Sequence, residues 1–493
     1  MPRRPVTVEI PSLRPLDRRS GPVGHQLAQG LRNAIRNGEL KPGEPLPSTR
    51  TLAAALGLAR GTVMEAFDQL VAEGFLEART GAGTRVSIAL HDSLPLAGPD
   101  REGATVDPGE MRLPAAACQL AEAARSLAPL PPVPFAVAVP TGAVAPDGMW
   151  RRLGNKLRAT GEGAPGGYGD PQGQMSLRRA IAEHVRKARA VKCDAGHVVI
   201  TSGTQQGLYV AARLLVGEGD SVWAEDPGYP GLISILEGLG MGTRLSRVPV
   251  DAEGIDVEAG MRAAPQARAA FVTPSHHYPV GMPMSMARRT ALLAWARRAG
   301  AWIVEDDYDS ELRYAGHPFP SLQGLDPARV IYLGTFSKIL YPSLRLGYAV
   351  VPDSLVQAFT GARALIDRHP PTAEQHVLAT FMREGHLEAH VRRIRAAYAS
   401  RRQVLITAID RWLGDRVTLQ PSDQGMHIVA WLSKDASDIT VAALAAAAGI
   451  AVRPTSPMYA GGGGRPGLVL GFGGFPEADI EAAVQKLGKV IAG

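Results

Sequence analysis

From Phe135 onward, short apolar runs rich in β-branched residues recur between stretches of helical periodicity: HVVITSG, DSVWAED, AAFVTPS, AWIVEDD, RVIYLGT and GYAVVP. Strands buried on both faces read as continuous apolar runs, and a helix between two of them returns the chain in the same direction. The alternation therefore predicts an α/β unit of βαβ type, a mostly parallel sheet with helices on both faces. Several of these runs close on glycine, hydroxyl or acidic residues. Those residues gather at the carboxyl edge of the strands, where open α/β sheets bind their ligands. From about Tyr398 helix mixes with the short strands TLQ, HIVAW and LVLGF, which predicts a smaller C-terminal α+β subdomain.

A chain of 493 residues exceeds one core, and the pattern changes upstream of Phe135. Residues 88–134 are rich in Pro, Ala and Gly around one helical stretch at about Ala115–Ser126, which predicts a linker. Before it, Val23, Leu27, Leu31, Ala34 and Ile35 fall at helical spacing, and Gly38 stops that helix. Ser48 is an N-cap for a second helix reaching about Leu56. Gly57, Leu58 and Ala59 form a tight turn, and a third helix from about Arg60 to Glu73 turns Val63, Phe67 and Leu70 inward. FLEAR, TGAGT and RVSI then read as strand, glycine turn, strand. This order is a winged helix-turn-helix. The predicted domains are 1–87 for the winged helix, 88–134 for the linker and 135–493 for an effector domain.

In such a motif the start of the third helix reaches base edges, while the second helix crosses the phosphate backbone. Those positions hold Arg60, Gly61 and Thr62, with Arg50 early in the second helix. Arginine can bond two guanine acceptors or clamp a phosphate. The wing tip Thr80–Arg85 supplies glycines that allow close backbone approach to a minor groove, with Arg85 behind them. Charge agrees: the chain carries net +6, and residues 1–90 hold 12 basic against 8 acidic side chains. The stretch NGELKPGEPLPSTRTLAAALGLARGTVMEAFDQLVAEGFLEARTGAGTRV resembles the GntR-family winged helix. The resemblance implies a double-stranded DNA operator contacted by Arg50, Arg60, Thr62 and Gly83. Ala59 departs from it, since relatives carry Ser or Thr there, and an N-cap or phosphate contact is lost.

Other classes are set aside. No uninterrupted apolar run of roughly 18 residues occurs and no charged n-region precedes an apolar core at the start, so neither a membrane span nor a secretory signal is expected. The expected location is cytoplasmic. Cys118 and Cys193 lie far apart without metal-ligand spacing, so neither disulfide nor metal site is expected.

The effector domain carries a second constellation. Lys338 in GTFSKIL follows the strand VIYLGT beside the hydroxyls of Thr335 and Ser337, and Arg345 follows seven residues later in YPSLRLGY. The strand AWIV ends in Glu305, Asp306, Asp307 and Tyr308. VVITSGTQQGL runs strand, glycine turn, helix, placing the N–H groups of Gly203 and Thr204 at a helix N-terminus with Ser202, Thr204 and Gln205 as side-chain donors. Tyr229 in EDPGYPG follows another strand end. An amine, a carboxylate, a phenol, a flat ring and an anion cup are the demands of pyridoxal phosphate (PLP). Lys338 would form the Schiff base, Arg345 hold the phosphate, Asp306 pair with the pyridinium, Tyr308 donate to O3′ and Tyr229 stack on the ring. Glu305 competes with Asp306 for the pyridinium.

Together with GGYGDPQGQMSLRRAI and VTPSHHYPVGMP, these segments resemble fold-type-I aminotransferases, and more closely the MocR subgroup, in which such a domain is fused to a GntR winged helix. The resemblance implies an internal aldimine at Lys338 and a head-to-tail homodimer. Aminotransferases carry a substrate-carboxylate arginine in a C-terminal strand, and here GLVLGFGG places Val469 at that position, with Arg453 and Arg465 nearby. The expected function is transcriptional regulation in which PLP, an amino acid or an amine acts as effector. The alternative is a working aminotransferase with an appended DNA-binding domain.

Overall fold

The computed structural model describes residues 16–17, 21–79, 83–91, 113–137, 139–140, 145–161, 166–238, 242–317 and 319–492. The chain divides into two compact units, Met1–Arg112 and Leu113–Gly493. Among the described residues no helix is long and apolar enough to cross a membrane.

The first unit is built from α1 (Val23–Arg36), α2 (Thr49–Leu56) and α3 (Arg60–Ala72), followed by β1 (Leu76–Arg79) and β2 (Gly83–Val86). The apolar positions read from spacing converge: Leu27, Leu31, Ile35, Val63, Phe67 and Leu70 share one core with Leu52, Leu76 and Val86. The Ser48 hydroxyl accepts the Thr51 N–H at 3.2 Å, capping α2, and Gly57 ends that helix at φ +63°, a conformation that favours glycine. Arg32 on α1 pairs with Glu73 beyond α3 at 2.6 Å. β1 and β2 pair antiparallel, Leu76 opposite Val86 and Arg79 opposite Gly83. The remainder of the wing tip, residues 80–82, lies outside the described residues, as do residues 92–112 of the expected linker.

Residues 113–134, expected in the linker, group with the second unit. The helix Ala115–Ser126 forms as read. Leu130 and Val133 then pack on the large core, and the Pro134 carbonyl accepts the Ala451 N–H at 3.0 Å. Apolar side chains at these two positions hold a Pro-rich segment down where composition alone suggests a free tether.

The second unit contains β3 (Val198–Thr201), β4 (Ser221–Asp226), β5 (Arg244–Asp251), β6 (Gly254–Ile255), β7 (Ala269–Val272), β8 (Trp302–Asp307), β9 (Val330–Thr335) and β10 (Gly347–Val350). They form one sheet in the order β3-β10-β9-β8-β7-β4-β5-β6. The run from β9 to β5 is parallel, whereas β10 lies antiparallel between β3 and β9. Successive side chains of a strand face opposite sides, and both sides are covered. Val199, Phe271, Val304, Ile331 and Leu333 join Leu208 of the helix Thr204–Leu215 in one cluster. On the other side Val198, Ile200 and Tyr332 meet Leu177 and Ile181, and Ala270, Val272 and Ile303 meet Leu292 and Trp295. The C-terminal part holds β11 (Thr418–Leu419), β12 (His427–Trp431), β13 (Arg453–Pro454) and β14 (Gly467–Gly471), an antiparallel sheet ordered β11-β12-β14-β13.

Candidate functional site

The carboxyl ends of β4, β7, β8 and β9 open together on one cavity of about 600 Å³, whose walls include Thr204, Tyr229, Thr273, Tyr278, Asp306, Tyr308 and Lys338. Pleating of β8 selects the acid. Val304 and Asp306 share one face, and Glu305 and Asp307 the other. Glu305 accepts the N–H groups of Leu322 and Gln323, each at 3.0 Å, and so caps the short helix Leu322–Leu325 away from the cavity. Asp307 is held by Arg189 at 2.8 Å and by the Tyr332 hydroxyl at 2.6 Å. Asp306 is the acid that remains: its Oδ1 is buried with no hydrogen-bond partner. Burial, reinforced by Asp307, pushes its carboxyl up to about 8. A protonated ring nitrogen beside Oδ1 would supply the missing donor and the missing positive charge.

Burial also pulls the Lys338 ammonium below its ordinary value, against the opposing pull of Asp309 and Asp306, which favours the neutral, nucleophilic amine. The turn that presents it is fixed by Thr335, whose Oγ1 donates to Ser337 Oγ at 3.0 Å and accepts the Ser337 N–H at 3.1 Å. His276 Nδ1 stands 2.8 Å from Asp309 Oδ2 and 3.1 Å from the Tyr308 hydroxyl. With its Nδ1 proton donated to Asp309, the imidazole leaves the Tyr308 proton available to an acceptor in the cavity. Burial pushes the Tyr229 hydroxyl up to about 12. Its ring stands edge-on to Tyr278 at 5.8 Å between centroids.

The anion cup follows from backbone geometry. Gly203 takes φ +84° at the start of the helix Thr204–Leu215. Arg345 reaches over it, its Nη2 donating to the Ser202 carbonyl at 2.6 Å, and a Cβ at position 203 would sit 3.3 Å from both terminal nitrogens. Among the described residues no carboxylate pairs with this guanidinium. A helix N-terminus beside an arginine lacking a counter-ion is a site for a phosphate. The Gln205 side-chain amide donates to the Gly231 carbonyl at 3.1 Å.

The sequence alone assigns no role to Thr273, His276 or Tyr278 of VTPSHHYPVGMP, nor to Asp309 or His427. The paired histidines before Tyr278 were the available signal. His276, Asp309 and His427 form a buried group of ligand-type atoms, in which His276 serves Asp309 and His427 Nε2 lies 3.0 Å from the Pro279 carbonyl.

On the first unit Arg50 and Arg60 are exposed, and their side chains make no hydrogen bond or ion pair with other described residues. Thr62 is half-buried against α1, where a Cβ on Gly24 would lie 3.3 Å from its methyl group. Ala59 precedes α3 without a side-chain cap, as its residue type requires. Gly83 is exposed at φ +82°, and Arg85 is anchored by a 3.4 Å bond from Nη1 to the Gly43 carbonyl.

Comparison with known proteins agrees with both units. Residues 24–86 match the gntR family of bacterial regulatory proteins, and residues 149–487 match aminotransferase class I and II. The probable rhizopine catabolism regulatory protein MocR of Rhizobium meliloti is 36% identical over 467 residues, covering 94% of this chain and 93% of its own. The pyridoxine biosynthesis transcriptional regulator PdxR of Corynebacterium glutamicum is 33% identical over 470 residues, covering 95% of each chain. Among solved structures, the α-aminoadipate aminotransferase LysN of Thermus thermophilus, complexed with N-(5'-phosphopyridoxyl)-L-leucine, is similar at a TM-score of 0.69 and 28% identity, over 77% of this chain and 97% of that one. The chain therefore belongs to the MocR-type regulators of the gntR family, in which a helix-turn-helix domain is joined to an aminotransferase class I and II domain.

Proposed function

We propose that this protein is a DNA-binding transcriptional regulator whose aminotransferase-like domain holds PLP at Lys338 and reports the binding of PLP or of an amino compound. The observation that carries the cofactor reading is the buried, unpartnered Oδ1 of Asp306 in the same cavity as Lys338. When bound, PLP supplies an electrophilic carbon and an electron-poor ring. The chain's own groups do the rest. Asp306 would hold a proton at the ring nitrogen, Tyr308 would donate from its hydroxyl, Tyr229 would lie against the ring, and Arg345 with the N–H groups at Gly203 and Thr204 would bind the phosphate. A ligand acts on transcription through the difference in its binding free energy between arrangements of the protein, and no turnover is needed. Arg50, Arg60, Thr62, Gly83 and Arg85 contact a double-stranded operator. The working form is a head-to-tail homodimer, which suits an operator with two half-sites.

Purified protein with added PLP should show the visible absorbance of a lysine-bound cofactor, and Lys338→Ala should lose it. Operator binding should change when PLP or a primary amine is added. A wild type that never develops the band removes the cofactor from the reading. Steady transamination near the ~10 s⁻¹ typical of enzymes, with DNA affinity indifferent to every ligand, favours the aminotransferase alternative.

A further inference from the structure

The groups that would hold the cofactor, Lys338, Asp306, Tyr308, Tyr229 and Arg345, all lie on strands of the eight-stranded sheet or in the segments that follow them. The cavity of about 600 Å³ has another side, formed by Met426 and His427 at the start of β12 together with Leu127, Leu130, Val137 and Val139. A small molecule lying beside the cofactor meets this side. Of these residues only His427 carries a polar side-chain group.

The tautomer of His427 follows from its partner. Its Nε2 lies 3.0 Å from the Pro279 carbonyl oxygen, and a carbonyl can only accept, so Nε2 carries the proton and Nδ1 keeps a lone pair. Among the described residues no donor is hydrogen-bonded to Nδ1. The imidazole stays neutral, because burial, reinforced by His276, pushes its titration down to about 3. It is also held in place: the Tyr278 ring stands edge-on to it at 5.5 Å between centroids, and the His276 ring lies at 4.9 Å. The cavity thus presents a fixed, uncharged acceptor among apolar side chains. A ligand that excludes water from this acceptor without offering it a proton leaves it unpaired, and a site of this kind rejects such a ligand. We propose that His427 Nδ1 accepts a hydrogen bond from the effector, and that the effector is an amino compound with a second donor, a hydroxyl or N–H group, besides the amine directed to the cofactor at Lys338. This inference rests on the cofactor reading above and adds to it the class of amino compound.

His427→Phe and His427→Leu both remove the acceptor, so the comparison does not depend on either variant alone folding, and His427→Asn returns an acceptor oxygen on a short side chain. Each PLP-loaded protein is titrated with ethanolamine, 3-aminopropan-1-ol and L-serine, and with 2-methoxyethylamine, 3-methoxypropylamine and O-methyl-L-serine, in which the same oxygen is kept but cannot donate. The shift of the visible band reports binding, with no turnover required. Each preference is a ratio within one protein, so a general loss of affinity in a variant cancels. The expected result is that wild type binds at least one hydroxyl compound on the order of tenfold more tightly than its ether. That ratio should collapse in His427→Phe and His427→Leu, and His427→Asn should recover part of it. A wild type without a preference in any pair, or a ratio that survives removal of the imidazole, overturns the proposal. Absence of the band in wild type is a separate result, which sinks the cofactor reading and this inference with it.

Discussion

Replacing Asp306 by asparagine tests the site through a sign that intuition about buried acids does not supply. In the cofactor-free protein burial raises this carboxyl from 3.8 to about 8, so between those values the folded state binds a proton that the unfolded state has lost. Where the native state binds more protons, stability falls as pH rises, here through the window from about pH 4 to about pH 8. At pH 7 the difference amounts to roughly three pH units, or about 4 kcal/mol at most, at 1.36 kcal/mol per unit. Asp306→Asn keeps the shape and cannot ionise. Without cofactor it should be the more stable protein at pH 7. For a unit of this size, an unfolding entropy of about 2.1 cal/mol/K per residue converts the gain to roughly 5 °C in Tm. The advantage should vanish near pH 4. With PLP added the order should reverse, because wild type gains a carboxylate–pyridinium pair that the amide cannot form. Differential scanning fluorimetry across this range, with and without PLP, reads both effects. Glu225 and Glu305, each raised to about 7 by burial, slope in the same direction in both proteins, so the difference between the two curves reports residue 306 together with the charges coupled to it, Lys338 foremost among the cations. A cofactor-free variant less stable than wild type at pH 7, or one with an unchanged pH slope, would refute the assignment of an unpartnered carboxyl to this position.

The remaining expectations concern the anion cup and the DNA face. Gly203→Ala forces a side chain into φ +84° and to within 3.3 Å of the Arg345 guanidinium; it should cost about 1–3 kcal/mol of stability and weaken PLP retention, measured by Tm and by equilibrium dialysis. A variant that keeps both would show that Arg345 does not depend on the close approach. Arg60→Ala should weaken operator binding by about 1–3 kcal/mol if Arg60 reads a guanine. A loss uniform across sequences with a shallower salt slope marks a phosphate contact instead, and unchanged binding in a gel-shift titration rejects α3 as the reading helix.

Local periodicity and turn chemistry determined much of this protein. The helical spacing of Leu27, Leu31, Val63, Phe67 and Leu70, the cap at Ser48 and the stop at Gly57 define the winged helix because each acts within a few residues of itself. The apolar runs likewise announce a two-sided sheet, and Lys338 and Arg345, seven residues apart, fall where one of them ends. Tertiary structure decided what depends on which face, or which neighbour, a side chain meets. Pleating makes Asp306 and Glu305 opposites, but which of them meets the cavity depends on where the helices Thr204–Leu215 and Leu322–Leu325 pack. His276 gained its role only when β8 brought Asp309 to it from 33 residues away. Residues 113–134 read as a tether until Leu130 and Val133 found the core. Arg453 comes to stand opposite Val469 only through the pairing of β13 with β14, and pairing between distant strands is set by the sheet register and not by the spacing of residues along the chain.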